Sequence, residues 1–233
     1  MSNSATIATI QTDEGLDIAA ASRLPLWTKL LYTAFVIVLV PYYYQTYGPT
    51  NFLYFCDVAL LMTVAAMWLE SPILASMPAV GILLPQMLWC VDFLGGAVSR
   101  PLTGMTAYMF NENLSLFARG LSFFHFWLPF LVAWLVGRLG YDRRALVAWT
   151  LLAWVLQLIC FFAMPAPPTR PDNPNLPVNI NYVYGFSDAA AQTWMPAGAF
   201  LAMMMVGLPL LIFLPTHLFL NWAFGPNRDV ESK

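Results

Sequence analysis

The chain has 233 residues, 60% of them hydrophobic and 9% charged, with a formal net charge of −2. Soluble domains run at about 45–50% apolar and about 25% charged, so ten basic and twelve acidic side chains are too few to coat a water-facing surface. That balance excludes disordered chain, collagen and coiled coil, leaves no basic footprint for nucleic acid, and predicts an all-α polytopic membrane protein.

The three cysteines lie in apolar segments and form no disulfide framework. The two histidines and the cysteines lack metal-ligand spacing, and no Gly-rich phosphate loop is present. Zinc enzymes, NTPases and dinucleotide enzymes are set aside, and no metal or cofactor is expected.

Residues 1–24 are small and polar, without the basic start and apolar core of a signal peptide. They predict a disordered cytoplasmic tail. A spanning helix needs about 20 mostly apolar residues. Six segments reach that length, at 26–47, 51–69, 73–95, 120–138, 144–163 and 196–223. They predict a six-helix transmembrane domain over 25–224 and a C-terminal tail over 225–233. Gly48-Pro49 ends the first span, Glu70-Ser71-Pro72 parts the second from the third, and Gly140 to Arg143 is a tight turn.

With the N-terminus inside, Arg23, Lys29, Arg138, Arg143, Arg144, Arg228 and Lys233 are inner, and Arg100, Arg119 and Arg170 are outer. The excess of inner charge predicts both termini in the cytoplasm. Two long connections then face outward. Residues 96–119 are aromatic and weakly polar, as for an interfacial or re-entrant stretch. Residues 164–193 carry Pro165, Pro167, Pro168, Pro171, Pro174 and Pro177, which favour stiff extended chain.

An ionisable residue inside a membrane is a functional hypothesis by default. Asp57, Asp92 and His125 all fall in the outer third of their spans, beneath the two long loops, with Cys56 and Cys90 at similar depth. A thiolate is the attacking form of cysteine, and a histidine can take its proton. Cys56 and His125 form such a pair if the second and fourth helices touch. Asp57 or Asp92 would orient the imidazole, and Asn181 or its loop backbone would supply oxyanion donors. Each residue also has a structural alternative. A free cysteine is a common buried hydrophobe, a lone histidine a satisfied core residue, and a carboxylate a helix tie. Gln86 and Gln157 read as interhelical glue, His217 as interfacial, and Tyr42, Tyr43, Tyr44 and Trp222 as interface anchors.

Four motifs fall in order: Asn51-Phe-Leu-Tyr-Phe-Cys56-Asp57, Phe123-Phe-His125, Asn179-Ile-Asn181-Tyr182 and Thr193-Trp194-Met-Pro196. Over about residues 50–215 this pattern resembles the bacterial integral membrane family related to transmembrane protein 164. That family has a Leu-Pro-Leu-His-Leu-Cys helix start, a later His, an Asn-Tyr loop and a Trp-Pro-Trp final-helix start. Here Tyr54-Phe55 stands for His-Leu, and Trp194-Met195-Pro196 for Trp-Pro-Trp. The resemblance implies a cysteine-dependent acyltransferase of membrane lipid in the bacterial inner membrane. Cys56 would be nucleophile and His125 base, with Asn179, Asn181, Tyr182 and Trp194 at the substrate. The alternatives are a small transporter, suited by proline-broken spans, and a non-catalytic accessory protein.

Overall fold

A computed structural model describes residues 22–167 and 175–225. Most of both predicted tails lies outside the described residues, as do Pro168, Arg170, Pro171, Pro174, Arg228 and Lys233. The described chain is all-helical: α1 Leu26–Tyr47, α2 Phe55–Leu69, α3 Pro72–Ala97, α4 Leu116–Leu139, α5 Ala145–Ala163 and α6 Ala197–Phe224. Five of these, all but α2, are long and apolar enough to cross a membrane. The protein is a polytopic membrane helical bundle.

The second predicted span, 51–69, is divided. Pro49 starts a short 3-10 turn, Pro49–Leu53, and Tyr54 is extended, so α2 begins only at Phe55 and has 15 residues. Pro49 presets the turn but breaks the hydrogen-bond ladder before a full-length helix can form.

The apolar pattern is partly inside out. Leu30, Leu31, Ile37 and Val38 of α1 and Val206, Leu210, Leu211 and Leu218 of α6 are exposed. Lipid is the solvent that such a surface requires. The core centres on α3, which packs on α2, α4, α5 and the C-terminal half of α6. Over half of its apolar window is buried, 56%, against 22% for α6. Gly81 lets α5 approach α3 closely: a Cβ there would lie 1.8 Å from the Trp149 indole.

Interior prolines free carbonyls one turn earlier, and polar side chains take up two of them. Pro129 offers no N–H to the His125 carbonyl, which accepts from the Cys90 thiol at 3.8 Å; the same thiol reaches the Phe126 carbonyl at 3.5 Å. Pro209 leaves the Met205 carbonyl, which accepts from Trp154 Nε1 at 2.7 Å and ties α6 to α5. Directly after, Pro209–Phe213 forms a π-helical turn within α6.

The end of the bundle opposite the α2 N-terminus is closed by a polar clasp. Glu70, in a left-handed conformation after α2, accepts from Lys29 Nζ at 2.7 Å, from the Arg23 and Leu24 N–H groups at 2.8 and 3.3 Å, and from Ser22 Oγ. Arg23 donates in turn to the Glu70 and Leu139 carbonyls. Lys29 and these donors push the Glu70 carboxyl down to about 2. Residues 22–24, at the end of the predicted tail, are therefore tied to the bundle, and Leu24 is buried.

Candidate functional site

A cavity of about 270 Å³ lies on the α2 N-terminal side of the bundle, between α3 and α6. Pro85, Leu88 and Trp89 of α3 form one wall and Met204, Leu208, Ile212 and Phe213 of α6 the other. The gap exists because α3 packs on the π turn and C-terminal half of α6, whereas the N-terminal half of α6 packs on α5. Leu88, Met105 and Tyr182 on its rim are exposed. Cys56, Gln86, His125 and Asn181 bring the polar groups, and no Asp, Glu, Lys or Arg lines it.

The structure thus brings Cys56 and His125 to one cavity. His125 is seated by packing and one hydrogen bond. Its ring stacks on Trp89, with centroids 5.5 Å apart and planes at 22°. Its Nδ1 lies 2.8 Å from the Ser122 carbonyl. A carbonyl only accepts, so Nδ1 carries a proton and the neutral ring keeps a bare lone pair on Nε2. That is the form a general base requires. Cys56 sits in the first turn of α2, and its thiol lies 3.8 Å from Asp57 Oδ2.

Asp57 is buried behind Cys56. Its Oδ2 also accepts from Asn51 Nδ2 at 3.2 Å, while Oδ1 has no partner among the described residues. The first turn of a helix suits a carboxylate, since unpaired N–H groups point that way. Asp57 is therefore placed to act on the thiol rather than on the imidazole.

Asp92 is not part of this cavity. Its carboxylate accepts from the backbone N–H groups of Thr103, Gly104 and Thr106 and from Thr106 Oγ1 at 2.7 Å. It folds the segment after α3 back onto the helix, so the expectation that Asp57, Asp92 and His125 line one cavity is corrected: of the three, His125 alone lines it. Matching depth in two helices says nothing about the direction in which each side chain points.

The long-loop residues also divide. Asn181 accepts from the Phe55 N–H at 3.0 Å and donates to the Leu53 carbonyl at 2.8 Å and to Cys160 at 3.7 Å. Both amide hydrogens are engaged, so Asn181 positions the start of α2 and has no hydrogen left for an oxyanion. Asn179 ties its own loop, to Tyr184, Gly185 and Ser187. Trp194 is exposed and packs edge-on against Phe200, off the cavity wall. Tyr182 does reach the rim, in a left-handed conformation with φ +58 that is unusual for an aromatic residue. Partial burial, Asp188 and Cys56 push its phenol above the usual range, so it is a donor at neutral pH.

Gln86 was expected to be interhelical glue. It is 3% exposed, lines the cavity, and neither its Oε1 nor its Nε2 has a partner among the described residues. An amide in an apolar span gives no sequence signal that separates these roles.

A larger space, about 660 Å³, lies between α1 and α4 among Trp27, Tyr32, Phe35, Trp127, Phe130 and Trp134. Its hydroxyls are already committed: Tyr32 donates to the Leu60 carbonyl and Thr28 to that of Pro25. Of the two spaces, the smaller cavity therefore has the uncommitted polar groups. Among the described residues no group of His, Cys, Asp and Glu could hold a metal ion. No protein-family model, curated protein or solved structure matches the chain.

Proposed function

We propose that the protein transfers or hydrolyses a lipid acyl group within the membrane, with Cys56 as nucleophile and His125 as base. The observation that carries this reading is that one thiol and one imidazole with an open Nε2 line the same apolar cavity. The motif resemblance points to the same two residues. Of the other thiols, Cys90 is committed to backbone carbonyls, and Cys160 accepts from Asn181 away from the cavity.

In the proposed cycle the Cys56 thiol gives its proton to His125 Nε2 and its sulfur attacks the carbonyl carbon of a lipid ester. The C–O bond breaks, and the departing lipid alkoxide takes the proton from His125. The thioester then meets an acceptor hydroxyl or water, which gives its proton to His125 and attacks the carbonyl carbon. Sulfur leaves and recovers the proton, so no cofactor is consumed. The setting proposed is a bacterial inner membrane, with the Glu70 clasp on the cytoplasmic side, as the charge bias requires.

The test is purified protein in nanodiscs with an isotopically labelled diacyl phospholipid. Intact mass should show one acyl adduct in the wild type and in Cys90→Ala, and none in Cys56→Ala. His125→Ala should slow adduct formation by about 10²–10⁴-fold. Full turnover in Cys56→Ala sinks the proposal.

A further inference from the structure

The geometry points to Gln86 as the residue that binds the carbonyl oxygen of the ligand, and to one acyl chain with a neutral carbonyl group (an ester, thioester or amide) as what the cavity takes. This deepens the acyl-group reading of the same cavity and rests on it for the word acyl.

Three observations combine. First, Gln86 is almost fully buried in α3 with both amide atoms unpartnered among the described residues, on the wall shared with Cys56 and His125. Buried polar groups in folded proteins are nearly always hydrogen-bonded, and an exception on a cavity wall implies a partner that comes from outside. A primary amide offers two donors and an acceptor. An acyl carbonyl accepts from Nε2, and an amide ligand also returns an N–H to Oε1. Nearby, Pro85 denies an N–H to the Gly81 carbonyl one turn below, and Gly81 lines the same cavity.

Second, the lining holds no cation. A carboxylate brought there would lose its hydration with no opposite charge to replace it, so the acyl carbon arrives as a neutral derivative. Third, the volume is about 270 Å³, below the roughly 300–1,000 Å³ of pockets that enclose a drug-sized ligand. One acyl arm with its carbonyl can enter; a second chain must stay in the surrounding lipid.

The experiment needs no turnover. Full-length Cys90→Ala/Cys160→Ala protein in nanodiscs is alkylated at Cys56 with iodoacetamide, and protection is titrated with three probes of one chain length: N-methyloctanamide, octyl methyl ether and octanoate. The amide should protect at the lowest concentration. In Gln86→Leu its half-protecting concentration should rise about tenfold, as for loss of one hydrogen bond, while that of the ether is unchanged. Gln86→Met, unbranched and of similar length, should behave like Gln86→Leu. Neither variant should melt below its parent, because an unpartnered amide is replaced by an apolar group; a residue that glued helices would melt lower. Equal amide protection with and without Gln86, or protection by octanoate matching that by the amide, overturns the inference. Gln86-dependent amide protection in a protein that shows no acyl adduct removes the enzymatic reading and leaves the ligand assignment intact.

Discussion

The two ends of the bundle differ in whether the polar groups that matter most are all paired within the chain. At the clasp end Glu70 gathers Ser22, Arg23, Leu24 and Lys29, Tyr141 shares a 2.6 Å hydrogen bond with His217, and Arg143 reaches Asn221 at 2.7 Å. Each of these groups has its partner within the chain. Around the α2 N-terminus, Asp57 Oδ1 and both amide atoms of Gln86 have none among the described residues. Paired groups lower the energy of one packing arrangement and fix it. Unpaired ones cost stability, by roughly 1–3 kcal/mol per buried polar group, and on a cavity wall they are open to a partner from outside the chain. The clasp end is the fastener, and the cavity is the place where work is proposed.

Breaking this contrast starts with the packing that supports both ends. Gly81→Ala drives a methyl group into the Trp149 indole, which is itself fully buried. Overpacking costs typically about 1–3 kcal/mol, and this site should sit near the top of that range. The check is the melting temperature in detergent, with a fall several times that of Gly198→Ala, where a Cβ meets open space.

Asp92→Asn comes next. The replacement loses the charge and turns one acceptor into a donor facing backbone N–H groups. Stability should fall by about 1–3 kcal/mol. Limited proteolysis should open the segment 99–110, while Cys56 alkylation stays at the wild-type rate. A changed Cys56 rate would mean that Asp92 shapes the cavity after all.

Acid sharpens the comparison from the other side. Glu70 is depressed to about 2 from an ordinary 4.5, so its contribution is present above about pH 4.5 and lost as pH falls toward 2. Wild-type melting temperature should therefore drop across that window. Glu70→Gln should be less stable at neutral pH and show a shallower acid slope. An unchanged slope removes Glu70 as the fastener.

The smallest effect belongs to Gln157, which is fully buried in α5 with both amide atoms unpartnered among the described residues, off the cavity lining. Gln157→Leu should be neutral or slightly stabilising, and should leave Cys56 protection by N-methyloctanamide untouched. A protection change equal to that of Gln86→Leu would mean the two glutamines act as one site.

Much of the bundle was legible because apolar length is written plainly: the predicted 26–47 and the observed Leu26–Tyr47 coincide, and 144–163 differs from Ala145–Ala163 by one residue. Residues 51–69 were less so, since Pro49 and extended Tyr54 are local events that hydropathy averages away. At the site, depth along each span led to Cys56 and His125. The same depth misled at Asp92, because azimuth around a helix depends on how the neighbours pack. Asn181 looked like a substrate donor, and only the chain fold shows that it holds Leu53 and Phe55. Gln86 stayed hidden because glue and ligand contact use the same amide.

The π turn at Pro209–Phe213 has a geometric consequence. A helix advances about 100° per residue, so a single wide turn acts as a phase slip. It sets the rotational offset between the half of α6 carrying Met204 and Leu208 and the half carrying Thr216 and Leu220. Winding the same residues as regular α-helix would swing one half by about one residue's rotation, about 100°, relative to the other. Leu220 is fully buried in the main core, so the turn would fall on the other half, against the hydrogen bond from Trp154 to the Met205 carbonyl. Met204 and Leu208 would then leave the cavity wall, although no residue that lines it would have changed its identity.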